Sequence, residues 1–128
     1  MVGNCTINGN GHNLDLATVG GLITAKNTTL NLNNITLDSL ETNGGLEVAD
    51  GGTVNLSKVK MIMSGDYTCT SGSWNIVEDV EIRGNGHTFE YSSTEPMTVA
   101  TGKVLKVDRG VTFNYNASTN SRLVLNGI

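Results

Sequence analysis

Ten residues of this chain recur 75 positions further on: Ile7-Asn-Gly-Asn-Gly-His-Asn-Leu-Asp-Leu16 returns as Ile82-Arg-Gly-Asn-Gly-His-Thr-Phe-Glu-Tyr91. The register then persists, with Leu22 on Met97, Ala25 on Ala100, Leu30 on Leu105 and Leu32 on Val107, so residues 2–32 and 77–107 are two copies of one pattern. A chain that repeats over loops and apolar positions alike folds by stacking units along one axis. That architecture offers partners long regular surfaces and two ends.

Gly, Asn and Thr each occur 16 times and Pro once, which supplies turn and strand formers and few helix formers, so no helix is expected. With 38% hydrophobic residues over 128 positions, a single domain spanning residues 1–128 has enough material for one continuous core. A net charge of -4 without a basic stripe excludes phosphate-backbone binding, so no nucleic-acid partner is expected. No apolar run approaches membrane-spanning length and no charged-then-apolar leader is visible, so no membrane insertion is expected.

The dominant local signal is an apolar-polar-apolar triplet, the period-two mark of a half-buried strand. The triplets sort into three classes. The first holds Leu14/Leu16, Leu46/Val48, Tyr67/Cys69, Phe89/Tyr91 and Leu123/Leu125; the second holds Leu30/Leu32, Val54/Leu56, Trp74/Ile76 and Leu105/Val107. The third holds Cys5/Ile7, Ile35/Leu37, Val59/Met61, Val80/Ile82 and Val111/Phe113. Read in order they cycle through the classes, with one circuit every 20 to 31 residues. The expectation is an all-β, single-domain parallel β-solenoid of three strands per coil and about five coils, roughly 24 Å long. A sandwich or up-and-down barrel would explain neither the 75-residue register nor the cyclic order.

Short corners join the second and third classes at Asn33-Asn34, Ser57-Lys58, Val77-Glu78-Asp79 and Asp108-Arg109-Gly110, where a left-handed backbone is needed. Stacked, they would align Lys58, Asp79 and Arg109 as a column of opposite charges that marks register. Trp74, Tyr67, Phe89, Phe113 and Tyr115 alternate with polar residues and are expected to stack in the core. Cys5 and Cys69 fall on different faces several layers apart, too far for a disulfide. Two longer stretches, Ala17 to Thr29 and Ser92 to Val104, should bulge from one side of the rod. Leu22, Thr24, Lys26, Met97, Thr98 and Lys103 are the candidate recognition residues there, although an extra strand is the better reading of both stretches.

The run Cys5-Thr-Ile-Asn-Gly-Asn-Gly-His12, followed by Asn27-Thr-Thr-Leu-Asn-Leu-Asn-Asn-Ile-Thr-Leu37, resembles the parallel β-helix repeats of pectate-lyase-like proteins and of bacterial surface and autotransporter passengers. The resemblance implies right-handed coiling. It does not imply one activity, because such folds include polysaccharide lyases and hydrolases, adhesins and plain structural rods. Enzymes of this type gather calcium-binding acidic residues with a basic residue, or two or three carboxylates, on one face. In this chain Asp15, Glu47 and Glu90 occupy the outward middle position of the first class, with the outer two spaced too far apart for glycoside chemistry. His12 and His87 occupy equivalent corner positions too distant to share a metal, and Gly9-Asn10-Gly11 and Gly84-Asn85-Gly86 precede no helix that could hold a phosphate. No catalytic residue, metal or cofactor is therefore expected. Five sequons, at Asn4, Asn27, Asn34, Asn55 and Asn116, are explained by the abundance of Asn and Thr.

A solenoid's terminal coils are open edges that usually need a cap. Neither end of the sequence supplies one: a third-class strand with Val2, Cys5 and Ile7 opens the chain, and a first-class strand with Leu123 and Leu125, followed by Ile128, closes it. The two partial coils read as complementary. These six residues are the candidate subunit interface, and the leading expectation is a non-catalytic structural subunit stacking head to tail on copies of itself in an extracellular or cell-surface filament. The alternative is a piece of a surface adhesin or autotransporter-like passenger that binds glycan or a host surface. A polysaccharide lyase-like enzyme ranks behind both.

Overall fold

The computed structural model describes residues 4–42, 45–84, 86–115 and 124–125, and of Val19, Val124 and Leu125 the backbone alone. In chain order the elements are β1 (Cys5–Asn8), β2 (Asn13–Asp15), α1 (Leu16–Val19), β3 (Leu22–Thr24), β4 (Thr29–Leu40), β5 (Leu46–Val48), β6 (Thr53–Met63), β7 (Tyr67–Cys69), β8 (Ser73–Ile76), β9 (Val80–Arg83), β10 (His87–Tyr91), β11 (Met97–Val99), β12 (Leu105–Val107), β13 (Val111–Tyr115) and β14 (Val124–Leu125). All pairing between strands is parallel, and the chain winds into a β-solenoid of about 4 turns. The three triplet classes become its three faces.

On face 2, Cys5 and Ile7 of β1 sit against Leu30 and Leu32 of β4, and the columns continue through Val54/Leu56, Trp74/Ile76 and Met97/Val99 to Leu125. On face 3, Leu14 of β2 sits against Leu37; Ile35/Leu37, Val59/Met61, Val80/Ile82 and Leu105/Val107 follow in register. Strands β4 and β6 each pass through the corner between these faces, with Asn34 (φ 50) and Lys58 (φ 56) in the left-handed region. Face 1 is divided. Strand β3 pairs with β5, and β7, β10 and β13 form a separate sheet. The break is bridged by Thr42, whose N–H donates to the Asp66 carbonyl at 3.1 Å and whose Oγ1 accepts the Thr68 N–H at 3.1 Å.

The inner rungs match their expected faces; the first and last do not. Cys5/Ile7 lies on face 2 instead of face 3, Leu14 on face 3 instead of face 1, and Leu105/Val107 on face 3 instead of face 2. Val111 and Phe113 belong, with Tyr115, to face 1, and Leu125 to face 2. The two expected excursions are not side loops: β3 and β11 are regular strands, on faces 1 and 2 respectively. The physical reason is that an apolar-polar-apolar triplet fits any flat side, so only circuit length can assign it. Along face 2, from Cys5 to Leu30, Val54, Trp74 and Met97, the circuits take 20 to 25 residues throughout. Those five rungs are joined by four circuits, and β14 adds a sixth position on the same face beyond Met97 and Val99.

One short helix also departs from expectation. Asp15 accepts the Ala17 N–H at 3.0 Å and the Thr18 hydroxyl at 3.2 Å, and Gly20 (φ 78) closes the turn in the left-handed region. An N-cap and a glycine C-cap around four residues suffice where Leu16 also drops fully into the core.

Inside, the side chains form columns. Phe89 and Phe113 stack at 5.5 Å and 8°, Tyr91 and Tyr115 at 5.2 Å and 12°, while Trp74 meets Phe89 edge-on at 5.4 Å. The Tyr91 hydroxyl donates toward the Gly72 and Glu95 carbonyls, and that of Tyr67 toward the Leu46 carbonyl. Outside, face 2 carries an amide ladder in which Asn75 Nδ2 donates to Asn55 Oδ1 at 2.9 Å, Asn55 to Asn31 at 2.8 Å, and Asn31 to Thr6 at 3.2 Å. Each rung thus repeats the hydrogen bonds of the rung below. Cys5 and Cys69 are both free thiols.

Gly72 (φ 83) shows how tightly the rungs are spaced, since a Cβ there would lie 2.3 Å from Val48 Cγ1 and 2.8 Å from its Cβ; Gly102 (φ 74) faces open space. Gly102→Ala should cost only the left-handed penalty, about 1 kcal/mol. Gly72→Ala should cost at least about 2 kcal/mol more, read as the difference in urea unfolding free energies. Burial pushes the Cys69 thiol up from 9.0 to about 12 and raises the hydroxyls of Tyr91 and Tyr67. The folded state therefore keeps protons that the unfolded chain sheds. This contribution to stability is complete below pH 9 and is lost as pH rises toward about 12. Urea midpoints should fall between pH 7 and pH 10.5, and fall less in Cys69→Ala.

Candidate functional site: two open tips

Stacking sets which core residues are covered. Every inward apolar side chain of the middle rungs is buried, from Leu30 and Leu32 through Val54, Val59 and Trp74 to Tyr91. The inward apolar residues left partly exposed are Cys5, Ile7, Leu14 and Leu22 at one end and Leu105, Val111, Phe113 and Tyr115 at the other. They are the same kinds of side chain in the same columns. What differs is that no rung lies beyond them among the described residues. The backbone repeats the pattern: β1, β2 and β3 at one tip, and β12, β13 and β14 at the other, are paired on one side only among the described strands. Each tip is thus a ring of strand edges around an apolar patch, with hydrogen-bonding capacity and hydrophobic surface in one place.

Of the six interface residues expected from sequence, Cys5 and Ile7 lie on the first rung, half-buried and exposed edge in hand, and Leu125 pairs with Val99 in the edge strand β14. Val2, Leu123 and Ile128 lie outside the described residues. β1 and β14 lie on the same face, whereas the expectation puts them on different faces of the rod. The sequence expectation has Leu22 as a recognition residue and Leu14, Leu105, Val111, Phe113 and Tyr115 as core, and places none of them at a tip. Pattern alone could not reveal them, since their exposure follows from rung position.

The candidate recognition residues do not form one surface. Leu22 and Thr24 belong to face 1 of the first rung and Met97 and Thr98 to face 2 of the last full circuit, while Lys26 and Lys103 lie in turns. Thr24 and Met97 are buried. The acidic column also dissolves: Asp15 sits beside Asp38 on face 3, whereas Glu47 and Glu90 are on face 1. Ser39 beside Asp15 holds its carboxyl below the usual range. Glu90 lies between Thr68 and Asn114, whose amide donates to it at 3.3 Å. His12 precedes a face 3 strand, but His87 opens a face 1 strand, with Nδ1 3.7 Å from Asp66 Oδ1, so the two are not equivalent in space. Among the described residues no group of three or more His, Cys, Asp or Glu could hold a metal ion, and no helix is long and apolar enough to cross a membrane.

The expected charge column is rearranged too. Lys58 pairs with Glu78 at 3.7 Å, Asp79 accepts the Val104 N–H at 3.0 Å, and Arg109 belongs to the next corner because Leu105/Val107 is on face 3. A second ladder runs on face 3, where Glu81 is held by Arg83 at 2.9 Å and by Lys106 at 3.5 Å. Around it lies a shallow depression of about 600 Å³ bordered by Lys58, Lys60 and Asp79. No protein family, curated protein or solved structure matches the chain.

Because Cys5 lies at an open tip and Cys69 inside, the two thiols should separate cleanly. In the folded chain, an aromatic disulfide reagent at pH 8 should modify Cys5 at least about 100-fold faster than Cys69, with Cys69 reacting after denaturation. Equal rates would mean that the first rung is covered.

Proposed function

We propose that this protein is a non-catalytic structural solenoid whose two tips cover one another, so that copies stack head to tail into a filament, working outside the cell or at its surface. The observation that carries the reading is the confinement of partly exposed core residues to the first and last rungs. Two further features support it. Parallel edges are directional, so the upper edge of one copy presents what the lower edge of another needs. Contact between unlike ends does not close into a ring unless the rotation happens to close it, and a straight rod cannot close. The finer likeness to autotransporter passengers and pectate-lyase-like proteins, with right-handed coiling, belongs to the same proposal and rests on the repeat motifs alone.

A second reading keeps the rod and adds a ligand. The depression on face 3 gathers four cations, Lys58, Lys60, Arg83 and Lys106, against two carboxylates, Asp79 and Glu81, in a chain whose overall charge is negative, and this local excess favours a glycan bearing anionic groups. Binding of a sulfated glycan that disappears in Lys60→Glu would support this reading, and it is compatible with stacking.

Ile7→Asp and Leu105→Asp each place a carboxylate where an apolar contact would form, at a cost several kcal/mol greater in the stacked state than in the dissociated one, where each side chain is only partly buried. Each should raise the concentration needed for filaments by about 100-fold or more, whereas Ile23→Asp, on an outward position, should leave it unchanged. Negative-stain microscopy and sedimentation read the outcome, with circular dichroism confirming the fold. A wild-type chain that stays monomeric at high concentration, or filaments indifferent to both tip changes, would sink the proposal.

A further inference from the structure

The sequence repeat and the strand map together fix how two copies would meet. Cys5/Ile7 on face 2 corresponds to Val80/Ile82 on face 3; Leu14 on face 3 corresponds to Phe89 on face 1; Leu22/Thr24 on face 1 corresponds to Met97/Val99 on face 2. The 75-residue offset is therefore three circuits plus one face. In the second copy of the pattern, the segment that elsewhere forms the first rung already sits on a rung made of Val59/Met61, Tyr67/Cys69 and Trp74/Ile76. The far tip offers a similar platform, aliphatic Leu105/Val107 on face 3, aromatic Phe113/Tyr115 on face 1 and β14 on face 2.

We infer that, in the filament, each copy is turned one third of a turn against the one below, so that incoming β1 seats on β12 of face 3 and not on β14. This rests on the stacking reading above. The described strands occupy six positions on face 2 and five on each other face, one more than whole circuits require. Without rotation, β1 would add to β14 while faces 3 and 1 each lacked one strand, opening gaps of about two strand spacings, roughly 10 Å, beside Leu105 and Phe113. With rotation every edge continues. Cys5 and Ile7 of the incoming copy lie over Leu105 and Val107, Leu14 over Phe113, and Asp15 over Asn114, the place Glu90 holds on the other side of that amide. The rise is about 26 Å per copy and the structure repeats after three copies, roughly 77 Å.

Paired cysteines test the register, because neighbouring parallel strands lie within disulfide reach. Under mild oxidation, Thr6→Cys with Lys106→Cys should give a covalent ladder on a non-reducing gel. Thr6→Cys with Val124→Cys should give none, and each single variant serves as control. Helical reconstruction of wild-type filaments should return a rotation near 120° per copy. A ladder from the Val124 pair, or a rotation near zero, overturns the one-third turn and leaves stacking intact. No ladder from either pair together with no wild-type filaments overturns both.

Discussion

A parallel rung is complete only when another rung lies on each side of it, and the rest of this structure follows from that condition. Backbone N–H and C=O groups point along the rod, so each strand depends on two neighbours for its hydrogen bonds. Side chains obey the same rule because register puts like over like. Phe89 is covered by Tyr67 below and Phe113 above, and Asn55 donates to Asn31 while accepting from Asn75. Stability in such a rod is close to a sum over adjacent rungs. The end rungs then have half the neighbours of the others, whatever residues they carry.

The same condition explains why polar residues are plentiful without destabilising the outside. An isolated half-buried amide gains little, but an amide in a column finds both a donor and an acceptor at the strand spacing. Asn55 illustrates the consequence: it is a sequon, yet its Nδ2 is engaged with Asn31, so attaching a glycan there would break the ladder. On face 3 the columns carry charge instead, and Glu81, largely screened from solvent, lies between two cations. Inside, the aromatic column belongs to face 1 with Trp74 reaching in from face 2, and Trp74 Nε1 is buried without a hydrogen-bond partner among the described residues. Its packing against Tyr67 and Phe89 has to offset that loss.

Much of this was legible in the sequence. Alternation along the strands, left-handed corners at Asn34 and Lys58, stacked aromatics and well-separated cysteines all follow from local chemistry that the fold leaves unchanged. Face assignment at the ends was not, because Cys5-Thr-Ile7 has no side chain that prefers one face to another. The interval of 31 residues from Val80 to Val111 was the warning, since the inner circuits are shorter; moving Leu105/Val107 to face 3 restores an even count. Helix α1 is hidden in the sequence because Asp15 stands at the outward middle position of a strand pattern, and its capping of Ala17 outweighs the weak strand pattern at Leu16. Which residues make up the first and last described rungs depends on rung order, which becomes visible only when the strands are stacked.

Interchangeable faces also bear on specificity at the tips. Strand edges are generic hydrogen-bonding surfaces, and nothing in a row of N–H and C=O groups distinguishes one face from the next. The discrimination must come from completeness and from the side chains beneath. On the far tip the aromatic pair Phe113/Tyr115 lies only on face 1, and the extra strand β14 only on face 2, so the three sides present different heights and widths. The opposite tip has no aromatic among Cys5, Ile7, Leu14 and Leu22, so in the proposed stack it would settle on a wide platform without clash. A missing strand would leave buried backbone groups unpaired on two faces at once, a larger loss than any single mismatch of side chains. In the proposed stack, strand count, more than sequence complementarity, would therefore select the rotation at which one rod continues into the next.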